Sequence, residues 1–311
     1  MGEVEHPVVS LTVHIGELEL RNPVLLASGT CGYGVDVAHL LDLGSVGGIV
    51  TKTVTPLPRT GNAPPRIVEV ASGMLNSIGL ENVGIDAFMR DKLPAARELD
   101  TRRIVSIGGE SIVDYLPLVE RLDGEPGVDA IELNLSCPNV SGGLDFSRQP
   151  GACGELVAAA RRVTRLPLIA KLTPNVARMA PIAHAAEDAG ADAVALVNTF
   201  VGMAIDVDRR RAQLSTLVGG LSGPAIRPLA VARVWEVSQA VSIPVIGMGG
   251  IASTRDVIEF LLAGATAVQV GTYNFVDPAA AGRMATELAG YLESHGIDSP
   301  GALRHAFERT S

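Results

Sequence analysis

The sequence has 311 residues, of which 47% are hydrophobic and 19% are charged, so the chain can bury a large core. Its net charge of −9 excludes a general binder of phosphate backbones, which needs clustered positive charge, and we expect no nucleic-acid partner. No apolar run approaches the roughly 20 residues that span a bilayer, and the short acidic N-terminus is unlike a signal peptide. We therefore predict a cytoplasmic protein that does not enter a membrane.

Cysteines and histidines give no sign of a metal centre. The three cysteines lack CxxC spacing, and the six histidines are scattered over the termini and over helix-like stretches. Neither a disulfide framework nor a self-contained zinc or iron–sulfur site is indicated, so we predict no metal ligands. Nothing resembles an HExxH motif or a Ser/His/Asp layout, which disfavours hydrolytic chemistry.

Short apolar runs recur along most of the chain, and each ends in or near Gly, Ser, Thr or Asn. Their continuous hydrophobicity is typical of parallel strands that helices cover on both faces. Helix-like segments such as 155–165 and 228–241 lie between them. Eight strands alternating with helices predict an α/β fold, a TIM (β/α)8 barrel, in one domain spanning residues 1–311. The runs are residues 24–30, 47–54, 103–109, 129–136, 167–172, 192–198, 244–250 and 267–272.

Several segments depart from this repeat. Residues 8–22 alternate in polarity and turn at Gly16, which predicts an N-terminal β-hairpin that closes the bottom of the barrel. Long loops follow strands 2, 4 and 6, and those at residues 55–102 and 199–227 are rich in Gly, Pro and Asn. Because the loops that follow strands build the active-site face of a TIM barrel, we expect the function to lie there.

Lysine is scarce, since only three of the 25 basic residues are lysine. Lys52 and Lys171 fall at the ends of strands two and five, at the predicted barrel mouth, whereas Lys92 lies on a predicted surface helix. A compact ammonium can approach a carboxylate or an anionic ring where a broad guanidinium would not fit. Position alone leaves two roles open: one lysine could form a Schiff base with a carbonyl substrate, or both could bind anions.

Glycines and amides lie at other strand ends. Strands seven and eight end in Gly249-Gly250 and Gly271-Thr272, which is the usual place for a phosphate in a TIM barrel. Converging amides suit a planar heterocycle that bears N–H and C=O groups. Cys137 follows the fourth strand, and its residue type leaves both an inert core role and a catalytic role open. The amides are Asn76, Asn134, Asn139 and Asn198.

Five sequence blocks and two strand endings carry a family resemblance: ASGTCGYG (27–34), TKTVTPLPRTGNAPPRI (51–67), GMLNSIGLEN (73–82), NLSCPNVSGGLDF (134–146), GGLSGPAIRP (219–228), and the endings MGGI and VGT. Together they resemble the catalytic subunit of dihydroorotate dehydrogenase over nearly the whole chain. The GNAPPRI and SGGLDF segments resemble its NAD-linked branch, class 1B. The cysteine at position 137 differs from the membrane-bound class, which uses serine.

The resemblance implies FMN-dependent oxidation of dihydroorotate to orotate in pyrimidine (UMP) biosynthesis, with one FMN per chain. Cys137 would be the general base at C5, while a hydride moves from C6 to the flavin N5. Lys52 would contact the flavin and the substrate carboxylate, and Lys171 would lie at the N1/O2 side of the flavin. The implied cofactor positions are Ser28, Lys52, Thr53, Asn134, Lys171, Val197, Gly223, Gly249, Gly250, Gly271 and Thr272. The implied substrate positions are Lys52, Asn76, Ser77, Ile78, Gly79, Leu80, Asn134, Asn139, Asn198 and Thr199.

The resemblance also implies a partner. Class 1B enzymes pass electrons from FMN to a second subunit that carries FAD and a [2Fe–2S] cluster, and from there to NAD. This chain has neither ferredoxin-like cysteine spacing nor a GxGxxG motif after its first strand, so these centres are expected on the partner. We expect a heterotetramer of two catalytic and two electron-transfer subunits, with a homodimer of catalytic subunits at its core.

Four competing hypotheses remain at this point. The fumarate-linked class 1A dihydroorotate dehydrogenase shares the same half-reaction. A related dihydropyrimidine dehydrogenase would act on uracil or thymine, which lack the carboxylate. A Schiff-base lyase built on Lys171, or a catalytically silent binding barrel, would hold no flavin. Two positions depart from the family pattern, because Ser106 stands where relatives often have Asn and Cys31 stands where an aromatic residue is common.

Overall fold

The structure is a computed structural model that describes residues 9–136, 146 and 148–308, and strands and helices alternate along them. The strands are β1 (Val13–Ile15), β2 (Leu18–Leu20), β3 (Val24–Leu26), β4 (Gly48–Val50), β5 (Ile67–Val70), β6 (Gly73–Asn76), β7 (Arg102–Ile107), β8 (Ala130–Asn134), β9 (Leu168–Lys171), β10 (Ala193–Leu196), β11 (Phe200–Gly202), β12 (Ile205–Asp206), β13 (Arg211–Ala212), β14 (Gly219–Ser222), β15 (Val245–Met248) and β16 (Ala267–Val270).

The helices lie mainly between the barrel strands. They are α1 (Gly84–Ala87), α2 (Leu93–Arg97), α3 (Ile112–Leu122), α4 (Pro150–Arg161), α5 (Ala180–Asp188), α6 (Arg227–Ser238), α7 (Thr254–Leu262) and α8 (Ala280–Ser294). A π-helical turn, Phe88–Lys92, joins α1 to α2, and 3₁₀ turns form at Leu43–Ser45, Pro224–Ile226, Thr272–Phe275 and Pro300–Leu303. In the part of the chain that the structure describes, no helix is long and apolar enough to cross a bilayer.

Eight parallel strands close into a barrel. Their order around it is β3, β4, β7, β8, β9, β10, β15 and β16, and β16 pairs back with β3. Strands such as β9, β10, β15 and β16 are buried along their whole length, as expected when helices cover the outside and side chains fill the inside. The predicted TIM barrel is confirmed. Most strands are shorter than the apolar runs, because the runs also include the first loop residues beyond each strand.

The β1–β2 hairpin lies at the N-terminal end of the barrel. Its two strands pair antiparallel around Gly16, whose φ of +57° favours glycine. Alternation along each strand points one set of side chains inward. These side chains join a fully apolar cluster with barrel residues such as Ile104, Ile169 and Ile246. The inward hairpin residues are Val13, Ile15, Leu18 and Leu20.

The insertions after the second and sixth barrel strands pair with each other. One supplies β5 and β6, the other supplies β11 and β14, and together they form an antiparallel sheet in the order β11-β14-β6-β5. In the central pairing, Leu75 lies opposite Leu221, and Asn76 lies opposite Gly220. This sheet spans two loops at the carboxyl ends of the strands, and it brings Asn76 to the barrel mouth.

Candidate active site

A cavity of about 910 Å³ opens at the carboxyl ends of the barrel strands. Its volume lies at the upper end of the range, roughly 300 to 1,000 Å³, that is typical of cofactor and ligand sites. Every described residue that the sequence predicted for the site lines it. They are Ser28, Lys52, Thr53, Asn76, Ser77, Ile78, Gly79, Leu80, Asn134, Lys171, Val197, Asn198, Thr199, Gly223, Gly249, Gly250, Gly271 and Thr272. The remaining two, Cys137 and Asn139, lie outside the described residues.

Three side chains from three strands form the floor of the cavity. Lys171, at the end of β9, donates from Nζ to Oε1 of Glu132 on β8 over 3.3 Å. Gln269 on β16 donates from Nε2 to the other carboxylate oxygen of Glu132 over 3.0 Å. Glu132 and Gln269 are completely buried, and Lys171 is 6% exposed. Gln269 was missed by the sequence prediction because a single glutamine in an apolar run carries no distinctive signal.

Hydroxyl groups form one wall beside this floor. The Thr53 hydroxyl lies 3.3 Å from that of Ser28 and 3.0 Å from that of Ser106. Asn134 donates from Nδ2 to Thr53 Oγ1 over 3.4 Å. Ser106 is fully buried and does not line the cavity, so it supports Thr53 and does not itself face a ligand.

Lys52 lies just beyond the end of β4 and lines the same cavity. Burial lowers the pKa of its ammonium, an effect that nearby Glu81 partly opposes. Its backbone N–H donates to the Gly32 carbonyl over 2.7 Å, which fixes the loop that follows β4. Lys92, the third lysine, lies apart from the cavity in the π-helical turn, with Nζ 5.8 Å from the ring centroid of Tyr33.

The ends of β15 and β16 form a glycine-rich corner. Among the described residues, no carbonyl accepts from the backbone N–H groups of Gly249, Gly250 or Gly271. Gly250 has φ +80°, and a Cβ there would come within 2.7 Å of the Arg227 backbone nitrogen. Only glycine therefore fits at this close approach to the start of α6. Free N–H groups at strand ends are the usual donors to a bound phosphate.

Amides form the upper rim. Asn76 donates from Nδ2 to the Gly220 carbonyl over 3.3 Å, and Asn198 Oδ1 accepts from the Thr199 N–H over 2.8 Å. Asn175, which the sequence prediction missed, donates to the Thr199 carbonyl over 3.0 Å and accepts from the Val201 N–H over 2.9 Å. It ties the loop after β9 to the insertion after β10. Asn175 follows directly after residues 171–174, at the end of a predicted strand, and this position was the sequence signal that could have identified it.

The two described cysteines are structural. Cys31 is 1% exposed, and burial raises the pKa of its thiol to about 12. Cys153 is completely buried in α4, and burial raises its pKa to about 12 as well. Such thiols are poor bases and poor nucleophiles near neutral pH. Within the described ranges, no group of three or more His, Cys, Asp or Glu side chains could hold a metal ion.

Comparison with known proteins identifies the family. The family model described as dihydroorotate dehydrogenase matches residues 10–292, so the chain belongs to the dihydroorotate dehydrogenase family. Among similar proteins are two named "dihydroorotate dehydrogenase B (NAD(+)), catalytic subunit". The one from Geobacter sp. (strain M21) is 50% identical over 96% of this chain and 98% of its own length. The one from Desulforudis audaxviator is 52% identical over 97% of this chain and 99% of its own length.

Proposed function

We propose that this protein is the catalytic subunit of an NAD-linked dihydroorotate dehydrogenase, which oxidises dihydroorotate to orotate in UMP biosynthesis. The observation that carries the proposal is the cavity in which Lys52 and Lys171 meet the amide rim, in a chain about half identical to relatives of that name. Two ammonium groups and several amides in one cavity suit a flavin together with an anionic, planar substrate.

The residues present fit one FMN. The N–H groups of Gly249, Gly250 and Gly271, which no described carbonyl accepts from, provide donors for a phosphate at one corner. Lys171 provides an ammonium donor for the ring system at the floor, and the hydroxyl wall of Ser28 and Thr53 provides polar oxygens beside it. When bound, FMN supplies the acceptor for the hydride that leaves C6 of the substrate.

The chain's own side chains bind and orient the substrate. Lys52, with its lowered pKa, is an ammonium in a partly desolvated place, where its attraction to a carboxylate is stronger than in water. The rim amides, Asn76, Asn134, Asn139 and Asn198, would pair with the N–H and C=O groups of the pyrimidine ring, with help from Thr199 and the 77–80 backbone. Cys137 would hold the proton taken from C5, which makes it the general base.

The first experiment tests the flavin and the substrate together. We expect the purified protein to show the visible absorbance of oxidised flavin and to lose it when dihydroorotate is added without oxygen. Dihydrouracil, which lacks the carboxylate, is expected to cause little reduction. A colourless protein that also fails to bind added FMN would contradict the proposal, and equal reduction by dihydrouracil would favour the dihydropyrimidine dehydrogenase alternative.

A second experiment tests the base. Cys137→Ala is expected to retain FMN and orotate binding while flavin reduction slows by about 10²-fold or more. Cys153→Ala is the matched control, because it removes a thiol buried away from the cavity, and it should leave the reduction rate unchanged. A normal reduction rate in Cys137→Ala would remove Cys137 as the base.

A third experiment tests the electron acceptor and the partner. We propose that the catalytic subunit forms a homodimer and joins two subunits carrying FAD and a [2Fe–2S] cluster. The isolated chain, once reduced by dihydroorotate, should then be reoxidised slowly by fumarate, and NAD should be reduced only when the partner subunit is added. Rapid fumarate turnover by the isolated chain would instead indicate the fumarate-linked class.

A further inference from the structure

Glu132 is a buried carboxylate that the proposed mechanism does not use. It is completely buried, yet its two oxygens meet side chains from two other strands, Lys171 on β9 and Gln269 on β16. In the barrel order, β16 lies four strands away from β8, on the opposite side. The carboxylate therefore bridges the barrel interior directly beneath the cavity, which Lys171 and Gln269 both line.

The charges on this floor balance. A buried carboxylate or ammonium is costly without a partner of opposite charge, and each of these two groups is the partner of the other. The Gln269 amide donates to the second carboxylate oxygen over 3.0 Å, so both oxygens of Glu132 have a hydrogen-bond partner. The negative charge of Glu132 therefore opposes the positive charge that Lys171 presents to the cavity.

We propose that Glu132 is a positioning residue that sets how strongly Lys171 stabilises reduced flavin; this rests on the proposed function. A bare ammonium at the flavin edge would favour the negatively charged reduced ring strongly. The Glu132 charge weakens that preference. The reduced flavin can then pass its electrons onward, as a catalytic subunit linked to a second redox subunit requires.

The test is the reduction midpoint potential of the FMN-loaded protein, measured by equilibration with a reference dye. Glu132→Gln keeps the shape but removes the charge, and we expect the midpoint to rise. The rise should amount to about tenfold in the ratio of reduced to oxidised flavin at a fixed ambient potential, or about 30 mV for a two-electron couple. Glu259→Gln is the matched control. It makes the same change of charge on α7, where the Glu259 side chain is half-exposed, and it should leave the potential unchanged. A purely structural role for Glu132 would lower the melting temperature without this shift, and a midpoint at or below that of the wild type overturns the proposal.

Two further variants keep the test decisive if Glu132→Gln does not fold. Lys171→Met leaves the carboxylate alone and should lower the midpoint. The double variant Glu132→Leu/Lys171→Met removes both charges and should bring the midpoint back toward the wild-type value, because no unpaired charge remains. A double variant as low as Lys171→Met contradicts the proposal. Failure of the wild type to bind FMN, or to be reduced by dihydroorotate, would instead overturn the proposed function, so the two failures are distinguishable.

Discussion

The two ends of the barrel are built from the same strands, but the side chains that point into the barrel differ between the two ends. At the N-terminal end, inward side chains such as Ala130, Ile169 and Ala267 pack against the β1–β2 hairpin in an apolar cluster. Two residues further along the same strands, the inward side chains are Glu132, Lys171 and Gln269. Above them lies the cavity.

The change from apolar to charged side chains takes place over two residues of each strand. Because residues i and i+2 of a strand share a face, the apolar layer and the charged layer are direct neighbours. The lower layer and the hairpin stabilise the barrel by burying apolar surface. The upper layer carries charged and polar groups instead, and two of them, Lys171 and Gln269, line the cavity. Mutations at the two ends should therefore separate stability from function.

The largest effect is expected at the mouth, at Lys52. Lys52→Ala removes an ammonium from a partly desolvated site, and we expect kcat/KM for dihydroorotate to fall by about 10²- to 10³-fold, as for loss of one partner of a buried charge pair. Lys92→Ala is the matched control, since this lysine lies outside the cavity, and it should leave kcat/KM unchanged. Steady-state kinetics with both variants measures the difference, and equal small effects would contradict the assignment of Lys52.

The second effect is a pH dependence at the same residue. Burial lowers the pKa of Lys52 below its ordinary value of 10.5, so the ammonium loses its proton at a lower pH than a free lysine does. Orotate binding should therefore be strong at neutral pH and weaken as the pH rises through this lowered pKa. Titration of the flavin absorbance with orotate at several pH values measures it. In Lys52→Met the binding should be weak and should not show this pH dependence; if the dependence persists in that variant, another group causes it.

The third effect belongs to the apolar end. Ile15→Ala deletes a completely buried side chain of the hairpin, and we expect the free energy of unfolding to fall by about 2 to 5 kcal/mol. The kcat of the folded variant should equal that of the wild type, because the side chain lies on the opposite side of the charged layer from the cavity. Chemical denaturation and kinetics on the same sample test this, and a large loss of kcat would show that the two ends are coupled.

The smallest effect concerns the hydroxyl wall. Thr53→Val keeps the shape but removes the hydroxyl that Ser28, Ser106 and Asn134 surround. Removing one partner of a buried hydrogen bond costs about 1 to 3 kcal/mol, because the other partner is left unsatisfied. We expect FMN to bind about tenfold more weakly and dihydroorotate to reduce the bound flavin at nearly the normal rate. Fluorescence titration of the apoprotein with FMN gives the affinity, and unchanged affinity would mean that the wall does not face the flavin.

The barrel strands were predictable because burial on both faces leaves continuous apolar runs in the sequence. Lys52 and Lys171 were also predictable, since a lysine at the end of such a run stands out. The pairing of Leu75 with Leu221 was not, because it joins short strands of mixed polarity that lie far apart in the chain. The role of Gln269 was not predictable either, since its partner Glu132 lies on the opposite side of the barrel and only closure of the sheet brings them together.

The most direct test of the site is a crystal structure with FMN and orotate bound. The phosphate should lie against the N–H groups of Gly249, Gly250 and Gly271, and the flavin ring should lie over Lys171. The orotate carboxylate should contact Lys52. A flavin bound elsewhere, or an orotate carboxylate held by other residues, would contradict the assignment of the charged end of the barrel as the active site.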